Sequence, residues 1–168
     1  MTRLMRGRAG VMAGVVAVAS IVFGVSAAPS GAATTNPCKV LTKTEIATAF
    51  GGSVGTPKKG LSTPVSSQCE YKVGATADRP DGTVIVHVMT TGAKAAYTGL
   101  KKQGTLYVPI DGVANSLYAE KLHVVNILQG GVLLGVQGNF IVTDPLPIHF
   151  VDVETQLADL AQIGIKRV

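Results

Sequence analysis

The sequence predicts an α+β fold: an antiparallel sheet with helices packed on it, held by one disulfide. Three observations carry that prediction. Helical and strand-like stretches follow one another in mixed order, without the repeating strand–helix–strand units of a parallel sheet. Two strand-like runs, 121–129 and 132–138, flank Gly130-Gly131, and such a pair supplies the positive φ of a tight two-residue hairpin. Only two cysteines are present, Cys38 and Cys69, and both follow an N-terminal segment with the features of an export signal.

That segment comes first in the chain. Arg3, Arg6 and Arg8 form a positive opening, and residues 9–28 are uncharged and apolar. Small residues end it at Ala27 (after Val25-Ser26) and again at Ala33 (after Gly31-Ala32), two sites of the type a signal peptidase reads. The expectation is a cleavable signal over residues 1–33 and one secreted domain over residues 34–168. About 20 apolar residues could also span a bilayer, but two small-residue sites favour cleavage, and no transmembrane segment is expected after it. The Gly10–Gly14 spacing is a chance match in a Gly- and Ala-rich stretch. Cys38 lies about ten residues beyond the apolar segment, behind Thr35-Asn36-Pro37, which disfavours a lipid-modified N-terminus. A disulfide between Cys38 and Cys69 suits an oxidising compartment.

Thr42-Lys43-Thr44-Glu45 then reads as a capping box, with Leu41 and Ile46 placed as a hydrophobic staple. Ile46, Ala49 and Phe50 share one face, and Gly51-Gly52 stops the helix, so a helix is expected over 43–50. Residues 51–66 read as a loop and 68–73 as a strand carrying Cys69. A turn is expected over 78–82 and a β-branched strand over 83–90. In that strand Val84, Val86 and Val88 line one face and Ile85, His87 and Met89 the other, as in a sheet covered on both sides.

Ala93, Ala96, Tyr97 and Leu100 recur at helical spacing, and Gly104 closes this second helix. About four strands are expected next: 106–110, 114–119 and the hairpin pair, with 141–147 as a Pro-interrupted edge segment. Asp152 caps a last helix in which Glu154 suits the first turn and Val153, Leu157, Leu160 and Ala161 form the buried stripe.

Pro37-Cys38-Lys39-Val40-Leu41-Thr42 with Glu45 and Gly51-Gly52, followed by Cys69-Glu70-Tyr71, resembles a pattern in small actinobacterial exported proteins and lipoproteins of unknown function. The stretch 110–114, the Gly-Gly hairpin and a closing amphipathic helix extend the resemblance over most of residues 36–168. Many of those proteins are lipid-anchored, and some mycobacterial envelope lipoproteins have a PsbP-like α–β sandwich, which is the fold analogy the resemblance implies. It implies no activity and transfers no functional residues.

Charge and composition argue against several function classes. The formal charge is +5, but three of the 15 Lys and Arg precede the apolar segment. The remaining twelve face ten Asp and Glu, about +2, with no basic run longer than a pair, so nucleic acid is not an expected partner. Gly51-Gly52-Ser53-Val54-Gly55 matches the nucleophile-elbow pattern, but that motif needs a strand before the serine and a helix after it, the reverse of what is expected here. His87, His123 and His149 have no local metal-ligand spacing, and no metal or other cofactor is expected. Asp111 with Glu120, or Asp144 with Asp152, could pair as a glycosidase does, yet turn and cap roles account for Asp111 and Asp152. No Trp is present, and Tyr71, Tyr97, Tyr107 and Tyr118 suit core and sheet rim better than a stacking platform. The expected function is a non-enzymatic binding domain, its partner an apolar small molecule or lipid, or a protein meeting loop 51–66. The alternatives are an extracytoplasmic hydrolase using Ser53 or a histidine, and a passive envelope component.

Overall fold

The computed structural model describes residues 35–77, 79–140 and 153–168. The expectations placed on Ala27, Ala33, Asp78, Asp144, His149 and Asp152 and on the segment 141–147 lie outside them.

Six antiparallel strands form one sheet: β1 (Lys58–Ser62), β2 (Ser66–Val73), β3 (Gly82–Met89), β4 (Ser116–Ala119), β5 (Val124–Gln129) and β6 (Val132–Phe140). Their spatial order is β1-β2-β3-β6-β5-β4. Three helices complete the α+β fold: α1 (Lys43–Phe50), α2 (Ala93–Lys101) and α3 (Val153–Ile165). A helix thus precedes a three-stranded meander twice, and the meanders join where β3 pairs with β6.

The pleat sorts side chains onto two faces. On the first, Val84, Val86 and Val88 stand beside Val136 and Leu134, then Val125 and Ile127, and all of these are buried. Against them lies the stripe Val153, Leu157, Leu160 and Ala161 of α3, as the periodicity predicts. A Cβ on Gly164 would come within 2.9 Å of Leu134 and Val40, so a glycine lets α3 sit close to its neighbours.

α1 begins and ends where its sequence signals place it. Thr42 Oγ1 accepts from the Glu45 amide at 3.2 Å, and Glu45 Oε2 accepts from the Thr42 amide at 2.8 Å. Leu41 and Ile46 are both buried, and Gly51 terminates the helix at φ 68°. Arg167, just beyond α3, clasps Glu45 at 2.5 and 2.9 Å and donates to the Val40 carbonyl at 2.9 Å.

The disulfide joins Cys38 to Cys69. Two residues along the same face of β2, the buried Tyr71 hydroxyl donates to the Leu41 carbonyl at 2.7 Å and to that of Cys38 at 3.3 Å. Burial pushes this phenol up to about 12. One covalent and one polar tie therefore pin the approach to α1 against the second strand.

The structure corrects several expectations. Residues 51–66 are not all loop: 58–62 form β1, an edge strand exposed on both sides and so without an alternating pattern. Residues 106–110 form no strand; Val108 alone bridges Tyr118, by bonds of 2.9 and 2.7 Å. β4 starts at Ser116, not 114, because Asn115 turns the backbone to φ 52°. Residues 120–122 form a 3-10 turn and His123 sits at φ 45°, so the hairpin's first strand begins at Val124, whereas its second runs on to Phe140. Three described strands, not four, follow α2. Gly130 and Gly131 at φ 58° and 84° make the expected tight turn.

Candidate binding groove

The second face of the sheet is covered differently. α2 lies over β5 and β6, yet only Ala93 of this helix is fully buried. The groove side of the helix carries Ala96, Gly99 and Leu100, at i, i+3 and i+4, and Gln103 follows just beyond its end. Two of these four are too small to reach across, and a Cβ placed on Gly99 meets nothing within 4 Å. A groove of about 510 Å³ remains between helix and sheet. Both faces of β3 are apolar as expected, but the side bearing Ile85, His87 and Met89 is only half covered.

Tyr107 and Leu122 add to the walls, while Met89, Val124 and Leu133 make the floor apolar. Among the described residues no Lys, Arg, Asp or Glu lines the groove. Ser66, Gln103, Tyr107 and Gln137 bring polar groups to its lining, and two more, His87 and Asn126, share one cross-strand row. His87 on β3 pairs with Gly135 on β6, and Gly135 pairs with Asn126 on β5. A Cβ on Gly135 would lie 3.0 Å from Asn126 Oδ1 and 3.4 Å from the His87 Cβ, so the carboxamide occupies the space above the glycine. Asn126 is 9% exposed. Neither the Asn126 nor the His87 side chain makes a hydrogen bond within the described residues. Burial holds the His87 imidazole below its usual range, and therefore uncharged at neutral pH.

An amide beside a neutral imidazole, both open to a largely apolar groove, forms a recognition point for a polar group on an otherwise apolar molecule. Sequence reasoning singles out His87 but passes over Asn126. Its signal is a lone amide within Val124-Val125-Asn126-Ile127-Leu128.

The other candidate residues are dispersed. Ser53 follows α1 and lines a different cleft, of about 560 Å³, with Lys72, Asp81 and Thr83; no histidine among the described residues lines it. Its hydroxyl lies against Gly74, where a Cβ would approach to 2.6 Å. His123 belongs to the 3-10 turn before β5, Asp111 to an exposed turn, and Glu120 to the start of that 3-10 turn. Tyr71 and Tyr118 are core residues, while Tyr97 and Tyr107 are half-buried. No group of three or more His, Cys, Asp or Glu converges among the described residues. No helix among them is long and apolar enough to cross a membrane.

Arg79 is the functional-looking residue that proves architectural. It is buried, and its guanidinium lies 5.6 and 5.0 Å from the ring centres of Phe50 and Phe140. Nε donates to the Phe50 carbonyl at 3.1 Å, and Nη2 to those of Gly51 and Gly74 at 3.3 and 3.2 Å. A cation at the C-terminal carbonyls of α1 satisfies groups that the helix leaves open. No protein family matches the chain, and neither a curated protein nor a solved structure matches it.

Proposed function

We propose that this chain is an exported, non-enzymatic binding domain whose groove between α2 and the sheet takes an apolar small molecule or lipid. The observation that carries this reading is the groove free of charged side chains among the described residues, with the Asn126 amide on its floor. Its volume of about 510 Å³ falls within the range of small-molecule sites. The basic opening and apolar stretch of residues 1–28 support export, and the Cys38–Cys69 disulfide accords with an oxidising compartment.

Titration with Nile red, an uncharged dye that brightens in apolar surroundings, tests the binding reading. Saturable one-site enhancement is expected with the native protein, and loss of it with Gly99→Leu. No enhancement, or equal enhancement by both, would overturn the assignment. N-terminal sequencing of protein recovered from the culture fluid tests export; a start at Ala28 or Thr34 supports it, and an intact N-terminus confined to the membrane refutes it.

One feature favours a second reading, a protein partner. Leu61 is 77% exposed on the edge strand β1, and Val65 in the adjoining turn is 42% exposed. Both lie in the segment 51–66 expected to form a contact surface.

A further inference from the structure

Resting on the proposal that the groove binds an apolar molecule, we infer that it selects an uncharged, hydroxyl-bearing amphiphile, of the fatty-alcohol or monoacylglycerol type, over the fatty acid or cationic amphiphile of equal chain length. Charge sets the first constraint. An amphiphile lying along α2 would bring its head group onto described residues among which there is no Lys, Arg, Asp or Glu. A carboxylate placed there would lose water without meeting a cation, and an ammonium would lose water without meeting an anion. His87 does not supply the missing positive charge, since its half-buried position favours the neutral ring.

The hydrogen-bonding inventory points the same way. A carboxamide offers two N–H donors and a carbonyl acceptor, and a neutral imidazole offers one donor and one acceptor. A hydroxyl both donates and accepts, so it can satisfy the Asn126 and His87 side chains together. A carboxylate only accepts, and a quaternary ammonium does neither. Gly135 lets the Asn126 carboxamide lie over β6 on the His87 side, because a Cβ there would crowd Asn126 Oδ1 at 3.0 Å and the His87 Cβ at 3.4 Å.

Size limits the tail. At about 30 Å³ for each water-sized group, the groove holds on the order of 15 non-hydrogen atoms. That suits a chain of about ten carbons with a small head. The remainder of the floor, Met89, Val124 and Leu133, and Leu100 on the helix offer the tail apolar contact.

The test is competition against Nile red at pH 8 with four probes of matched chain: 1-decanol, 1-monodecanoylglycerol, decanoate and decyltrimethylammonium. The two uncharged probes are expected to displace the dye at concentrations at least tenfold lower than the charged ones. That preference, read within each protein as the ratio of charged to uncharged displacement concentrations relative to that protein's own dye affinity, is expected to shrink about tenfold in Asn126→Leu and, as an independent variant, in His87→Leu. Equal displacement by all four probes, or stronger displacement by decanoate, would overturn the inference while leaving the groove as a binding site. Unchanged preference in both variants would overturn it as well. If Nile red itself does not bind the native protein, the functional reading fails and this inference falls with it.

Discussion

Gly99→Leu is predicted to stabilise the protein while abolishing its binding. The glycine is the seventh residue of α2, exposed at the groove rim, and nothing stands within 4 Å of where its Cβ would project. Replacing Gly by Leu within a helix gains about 0.8 kcal/mol from backbone propensity alone. A helical Leu directs its side chain back towards the N-terminus, here over Ala96 and into the groove. Half-burying that side chain contributes about 1 kcal/mol more. For a domain of this size each kcal/mol moves Tm by about 3–5 °C, so a rise of about 5–9 °C is expected. Circular-dichroism melts measure the first effect and Nile red titration the second. A Tm lowered by several degrees would mean that this helical face is already packed against the sheet, leaving no groove to fill. A raised Tm with undiminished dye binding would place the dye elsewhere.

Three further predictions concern the frame that holds the groove. Glu45→Gln retains an amide able to serve the capping box but removes the charge that Arg167 clasps, and is expected to lower Tm by about 3 °C at pH 7. The Arg167 hydrogen bonds hold the Glu45 carboxyl at about 2, below its ordinary 4.5. A depressed carboxyl pKa stabilises the fold above the unfolded value, so the gap between variant and native protein should be full at pH 7, narrow below about pH 4.5 and vanish below about pH 2. Urea unfolding at pH 7, 4 and 2 measures it, and a gap independent of pH would refute the assignment. The double change Cys38→Ser with Cys69→Ser opens a loop spanning a separation of 31 residues and should cost about 3–4 kcal/mol by chain entropy, read from urea midpoints. Arg79→Met leaves three carbonyls without their donor and removes both ring contacts, a loss of about 3 kcal/mol that Arg79→Lys should not restore, because an ammonium cannot reproduce the planar fork. Urea denaturation of both variants provides the comparison, and a near-native Arg79→Lys would contradict it.

Features built from neighbouring residues are legible in the amino-acid sequence. The capping box of Thr42 and Glu45, the glycine stop of α1, the Gly130-Gly131 turn and the buried stripe of α3 each depend on groups within a few positions of one another. Their physics is local hydrogen bonding, backbone conformation and helical period, all encoded at short range. The disulfide is legible for a different reason, since two cysteines in a chain with an export-type opening leave a single pairing.

What escapes the sequence depends on partners far along the chain. β1 exists because β2 offers it hydrogen bonds, and Lys58-Lys59-Gly60-Leu61-Ser62 has neither the β-branched content nor the alternation of a half-buried strand. Arg79 sits in a turn by sequence, and only the approach of Phe50, Gly51, Gly74 and Phe140 makes it a buried tie. The groove is the extreme case. Gly99 on α2, Gly135 on β6, His87 on β3 and Asn126 on β5 meet only because β3 pairs with β6, β6 with β5, and α2 lies above them. Sequence alone determined the local elements and the covalent tie, because their energies act over a few residues or follow from a single possible pairing. The tertiary structure decided the space between helix and sheet, because a void is set by how far opposing side chains reach, a quantity no single segment contains.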